Sequence, residues 1–184
     1  MHFNSHYNLE GLHAPFGASK SSWLRYDKSK LIETYKNLKA AEMGTRLHEF
    51  AAEAIRLGIK LPKSRKTINM YVNDAIGYRM SPEVVLFYSD HFFGTADAIS
   101  FNNKVLRIHD YKSGKSGHLE QLEVYAALFC LEYKVKPFEI DIILRLYKED
   151  DVEEERPESE DILHIMDTIR DFDKILNKID EEES

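Results

Sequence analysis

Residues 94–125 read GTADAISFNNKVLRIHDYKSGKSGHLEQLEVY, and this stretch decides the fold. Asn102 and Asn103 separate two runs rich in strand formers, and asparagine tolerates the positive φ that a two-residue hairpin turn requires. A hairpin with that loop opposes Phe101 to Lys104, Ile99 to Leu106 and Asp97 to Ile108, which makes Asp110 the diagonal neighbour of Asp97. Side chains alternate along a strand, so Asp97, Ile99, Leu106, Ile108, Asp110 and Lys112 are expected on one face.

Diagonal neighbours stand about 7–8 Å apart, close enough for two carboxylates to share a cation. The rest of that face is aliphatic and supplies one amine, Lys112, so two ionised acids there would repel each other and lose solvation. A divalent ion removes both costs, and a hard oxygen donor set favours Mg2+ or Mn2+ over zinc. Further on, Gln121 and Tyr125 are four apart and share one helix face beside the apolar stripe of Leu122, Ala126 and Phe129. Taken singly these are ordinary residues: Asp97 could be a hairpin-edge acid, and Asp110 with Lys112 a surface ion pair.

The ordered set Gly94-Thr-Ala-Asp97, Asp110-Tyr-Lys112 and Gln121-Leu-Glu-Val-Tyr125 resembles the PD-(D/E)xK nuclease superfamily, in the RecB-type branch that includes phage and CRISPR-adaptation exonucleases. That branch also carries a histidine on an upstream helix, and the GTRLHE context around His48 is similar to it. Alone, His48 would be a core or surface histidine; the resemblance makes it a metal ligand. The likeness spans residues 40–147, with Ala96 in place of the motif's proline and aspartate as the second acid. It implies an α/β, restriction-endonuclease-like αβββαβ core: a mixed sheet flanked by helices, here with extra N-terminal helices and a C-terminal amphipathic helix.

The resemblance further implies a metal-dependent deoxyribonuclease, an exonuclease acting on DNA phosphodiesters. Asp97, Asp110, Lys112, Gln121 and Tyr125 would be its catalytic residues, and His48, Asp97, Asp110 and the Tyr111 backbone carbonyl its ligands to Mg2+ or Mn2+. DNA is the implied partner, with room for a recombination or helicase partner protein. The alternative is a non-catalytic nucleic-acid-binding or recombination accessory protein on the same fold, although such proteins usually lose an acid or the lysine. Iron–sulfur members of the branch need four cysteines, and Cys130 is the only one here, so a single chain cannot hold a cluster.

The 184 residues, 43% hydrophobic and 31% charged, suit one soluble domain. A net charge of −7 argues against a protein that coats DNA, but not against a nuclease. The start, MHFNSHYNLEG, has no basic segment followed by an apolar run, and no stretch approaches the roughly 18 apolar residues of a membrane span. A cytoplasmic protein with no membrane contact is therefore expected, and its lone cysteine fits a reducing compartment.

Outward from the motifs, residues 1–18 lack periodicity and are expected as loop, with a short helix after Ser19 and a further helix over residues 27–38. Residues 40–57 are helical by the spacing of Met43, Leu47, Phe50, Ala51, Ala54 and Ile55, and Gly58 stops them. Residues 67–76 form another helix with Thr67 as its cap, and residues 84–88 and 138–147 are strands. Gly114-Lys115-Ser116 lacks the first glycine of a P-loop, which would fall at His109. The acidic residues 149–161 are expected as a solvated linker, and residues 162–180 as an amphipathic helix that packs on its own core or pairs with a second subunit.

Overall fold

A computed structural model describes Tyr7, residues 14–149 and residues 151–183. Most of the expected N-terminal loop, and Asp150 of the acidic segment, lie outside the described residues. Backbone contacts divide the chain into two compact units, Met1–Arg46 and Leu47–Ser184.

One long helix, α1 (Lys28–Leu57), runs through that boundary. Two helices were expected here, but Asn37-Leu-Lys-Ala40 contains nothing that breaks a helix, so they join. Asp27 caps it, its Oδ1 accepting the Lys30 N–H at 2.7 Å, and Gly58, at φ 66°, ends it. In the first unit, a 3-10 segment Ser21–Arg25 precedes α1, and the Trp23 indole donates to the Gly17 carbonyl at 3.0 Å.

The second unit holds α2 (Thr67–Gly77), β1 (Ser81–Ser89), β2 (Phe92–Asn102), β3 (Val105–Tyr111), α3 (Glu120–Tyr133), β4 (Asp141–Tyr147), β5 (Val152–Glu155) and α4 (Ser159–Glu183). Thr67 is the first residue of α2 rather than its cap; its hydroxyl donates to the Glu149 carbonyl instead. The five strands lie in the order β1-β2-β3-β4-β5, antiparallel except for β3 and β4, which run parallel with α3 in the crossover. This is an α/β architecture, a mixed open sheet flanked by helices. The acidic segment is not all linker: residues 152–155 extend the sheet beside β4.

Alternation along β3 and β4 sends Leu106, Ile108, Ile142 and Leu144 into a core with Leu122 and Ala126 of α3 and Ile162, Met166 and Ile169 of α4. Tyr111 and Tyr147 go into a second core with Ala51 and Ile55 of α1 and Tyr71, Val72 and Ala75 of α2. No helix among the described residues is long and apolar enough to cross a membrane.

Candidate active site

The β2–β3 turn is not Asn102-Asn103. Asn102 pairs with Val105, and Asn103 and Lys104 form the loop at φ 51° and 61°, both left-handed as a type I′ turn demands. The turn thus moves on by one residue and the register by two. Ile99 faces Ile108 rather than Leu106, and the count brings Asp97 level with Asp110 instead of diagonal to it. A shift of two does not exchange the two faces of the strand.

The last regular rung is Ala98–His109. Beyond it the Asp97 side chain takes over: its Oδ2 accepts the Tyr111 N–H at 2.9 Å. Along β2 the alternation also slips at this residue, because Ala96 belongs to the core under α3 and Ala98 to the core under α2, although they are two apart. Asp97 therefore stands where the strand changes faces.

From the α1 side comes His48, whose Nδ1 lies 3.2 Å from Asp97 Oδ2 and whose ring tilts against Tyr111 at 5.5 Å. The hydrogen bond to Asp97 holds the imidazole above its usual pKa. From β1 comes Glu83, between the rungs Pro82–Ala98 and Val84–Ala96 and so opposite Asp97. Burial, then the charge of Asp97, raises the Glu83 carboxyl. One ligand atom each from His48, Glu83 and Asp97 lie within 4.8 Å of one another, a separation that one cation can span.

Asp110 is 1% exposed and pairs with Lys112, Oδ1 accepting from Nζ at 3.2 Å. Its Oδ2 is nearer, at 2.9 Å, yet poorly aligned, which leaves that atom buried without a hydrogen bond. Burial, with Asp97 adding to it, pushes the Asp110 carboxyl up to about 6. Burial pulls the Lys112 ammonium down, but Asp110 outweighs it and leaves the amine raised. A divalent ion held by His48, Glu83 and Asp97 would add positive charge near the Asp110–Lys112 pair and offset the burial that raises the Asp110 carboxyl.

On α3, Gln121 Nε2 donates to Tyr125 Oη at 2.9 Å, and the Tyr125 ring crowds Gly94 of β2. Of the residues expected from sequence, His48 and Asp97 touch, Asp110 and Lys112 touch, and Gln121 and Tyr125 touch. Tyr111 meets Asp97 through its N–H, whereas its carbonyl was the expected ligand atom. The His48–Glu83–Asp97 cluster does not include Asp110.

Glu83 is the residue that motif spacing missed. Its signal was present but weak: once residues 81–89 are paired with residues 92–102, register counting puts Glu83 across from Asp97. His109, buried on β3, is unlike the half-buried His48 of α1. Burial, then Arg145 and Arg107, drives its imidazole down to about 3, so it stays neutral in the Tyr147–Asp74–Arg145 network.

Comparison with family models, with curated proteins and with solved structures returns no match.

Proposed function

We propose that this protein is a metal-dependent nuclease that hydrolyses DNA phosphodiester bonds, acting as an exonuclease. The observation that carries this is the meeting of His48, Glu83 and Asp97 within reach of one cation, near the ion pair of buried Asp110 with half-buried Lys112. Residues 48, 83, 97 and 110 come from three strands and a helix, far apart in sequence. A structural ion pair has no need of so many acids against one imidazole and one amine.

His48, Glu83 and Asp97 would hold Mn2+ or Mg2+, and Asp110, paired with Lys112, would turn one oxygen to the same or a second ion. The imidazole donor suits Mn2+ better than Mg2+, which prefers oxygen alone. Such an ion, when bound, lowers the pKa of a coordinated water and offsets charge on the scissile phosphate. Lys112, anchored by Asp110, aims an ammonium at the place where negative charge grows during attack. Tyr125, steadied by Gln121, holds the phosphate or the attacking water in line.

The test is incubation of linear and circular, single- and double-stranded DNA with Mn2+ or Mg2+. Degradation of linear substrates is expected, with a loss of about a hundredfold or more in Asp97→Ala and Lys112→Ala. Undiminished cleavage by Asp97→Ala, or cleavage in excess chelator, would refute the proposal.

A further inference from the structure

The C-terminal half of α4 carries a second apolar face. Ile162, Met166 and Ile169 are buried to 4% or less, and their line continues through Asp173, Leu176 and Asp180; Phe172, Ile175 and Ile179 stand roughly a third of a turn round the helix and are 54%, 56% and 44% exposed. This half is not a loose end. Asp173 accepts the Ser89 hydroxyl at 2.5 Å and lies 3.2 Å from His91 Nδ1, while Asp180 lies 2.9 Å from His91 Nε2. The helix is thus tied to the β1–β2 turn while its apolar residues face solvent. Helical turns with no surface to pack on gain little beyond intrinsic propensity, so a stripe of this length implies an occupant.

Charge identifies the occupant. α4 carries nine acidic and three basic residues over 159–183, so pairing two copies of α4 would set acid against acid. The occupant must be apolar and basic. Residues 28–46 of α1 have that character: five basic residues against two acidic, with Leu31, Ile32, Tyr35, Leu38 and Met43 all between 42% and 55% exposed. Leu31, Ile32 and Tyr35, with Phe16, line a groove of about 390 Å³, rimmed by Lys36. Among the described residues, neither Lys28 nor Lys36 has a carboxylate within ion-pair distance.

We propose that two copies of this chain associate through these surfaces, with Phe172, Ile175 and Ile179 of one copy seated on the basic, apolar half of α1 of the other. Each such contact pairs an acidic, apolar surface with a basic, apolar one, and two of them would close a dimer. The proposal is independent of the nuclease reading.

The test measures the solution mass of the full chain by light scattering across concentration, for wild type, Ile32→Glu and Ile175→Glu. Both positions are exposed, so the substitutions leave the monomer folded, as circular dichroism would verify. Wild type should weigh twice 21.5 kDa and dissociate more readily at high salt. Each variant alone should weaken association by about tenfold or more.

Mixing the two variants supplies the sharper readout. A mixed dimer keeps one contact with both partners native, so mixing should restore association, whereas an α4–α4 contact gains nothing from it. A wild type that stays monomeric at about 100 μM overturns the proposal, because it limits any association to millimolar strength. A dimer indifferent to both substitutions, or a mixture that fails to recover, overturns it as well.

Discussion

Glu83 stands opposite Asp97 across the β1–β2 ladder with its backbone at φ 53°, a left-handed conformation in the middle of a strand. A side chain there costs about 1–2 kcal/mol that glycine avoids. The sequence keeps glutamate at this position, next to another carboxylate, which raises its energy further. Strain and repulsion in one residue are what the proposed metal site would account for.

Glu83→Gly separates the two effects. Relief of backbone strain and of repulsion with Asp97 outweighs about 0.5–1 kcal/mol of added chain entropy, so the metal-free protein should melt no lower than wild type. The rise in melting temperature on adding Mn2+ should shrink or vanish, because one donor of three is gone. A variant with an unchanged Mn2+ response would show that Glu83 is not a ligand.

The buried Asp110 carboxyl sets a pH dependence of opposite sign to that of ordinary salt-bridged acids. Its folded pKa, about 6, lies above its unfolded value, so its contribution to stability is complete below the unfolded pKa and is lost as pH rises through about 6. In chelator, a carboxyl titration followed by NMR should place its midpoint near 6, and Mn2+ should abolish that midpoint by displacing the proton. A midpoint below about 4 would mean that Lys112 dominates over burial.

The legibility of this chain follows the range of the forces involved. Strand alternation and the Asn-rich turn were enough to pair β2 with β3, and an error of one residue in the turn moved the register by an even number, which sets Asp97 level with Asp110; the group that one ion could span nevertheless joins Asp97 to His48 and Glu83. The α1 spacing put His48 at the margin of an apolar stripe, but its contact with Asp97 depends on how α1 packs, which periodicity does not encode. Glu83 was hidden because a left-handed glutamate within a strand has no local signature. Strand β5 was hidden because Val152-Glu-Glu-Glu155 is acidic: β4 supplies a pairing edge, and Glu154 finds Arg145 Nε at 3.0 Å.

The His91 clamp makes the hold on α4 sensitive to pH. Hydrogen bonds that the ring donates to Asp173 and Asp180 raise the imidazole pKa, so the stabilisation is complete below the unfolded value and fades as pH rises through the folded one. Amide hydrogen exchange in residues 172–180, corrected for intrinsic rates, should be slower at about pH 5.5 than at pH 8, on either side of the ordinary histidine value. His91→Ala should remove that difference. Equal protection at both pH values in wild type would show that the clamp does not depend on protonation.

Gly94 controls where Tyr125 can stand. A Cβ on Gly94 would come within 2.9 Å of Tyr125 Cε1, too close for a non-bonded carbon pair, so the side chain of Tyr125 must shift to admit it. Gly94→Ala should therefore keep the fold, at a cost of about 1–3 kcal/mol, while it swings the Tyr125 hydroxyl away from Gln121. If that hydroxyl positions the phosphate or the water, DNA cleavage should drop by about tenfold or more with Mn2+ stabilisation intact. Tyr125→Phe, which removes only the hydroxyl, should reproduce the drop without the stability cost. Full activity in Tyr125→Phe would leave the ring with a packing role against β2 and return the positioning of the phosphate to Lys112 alone.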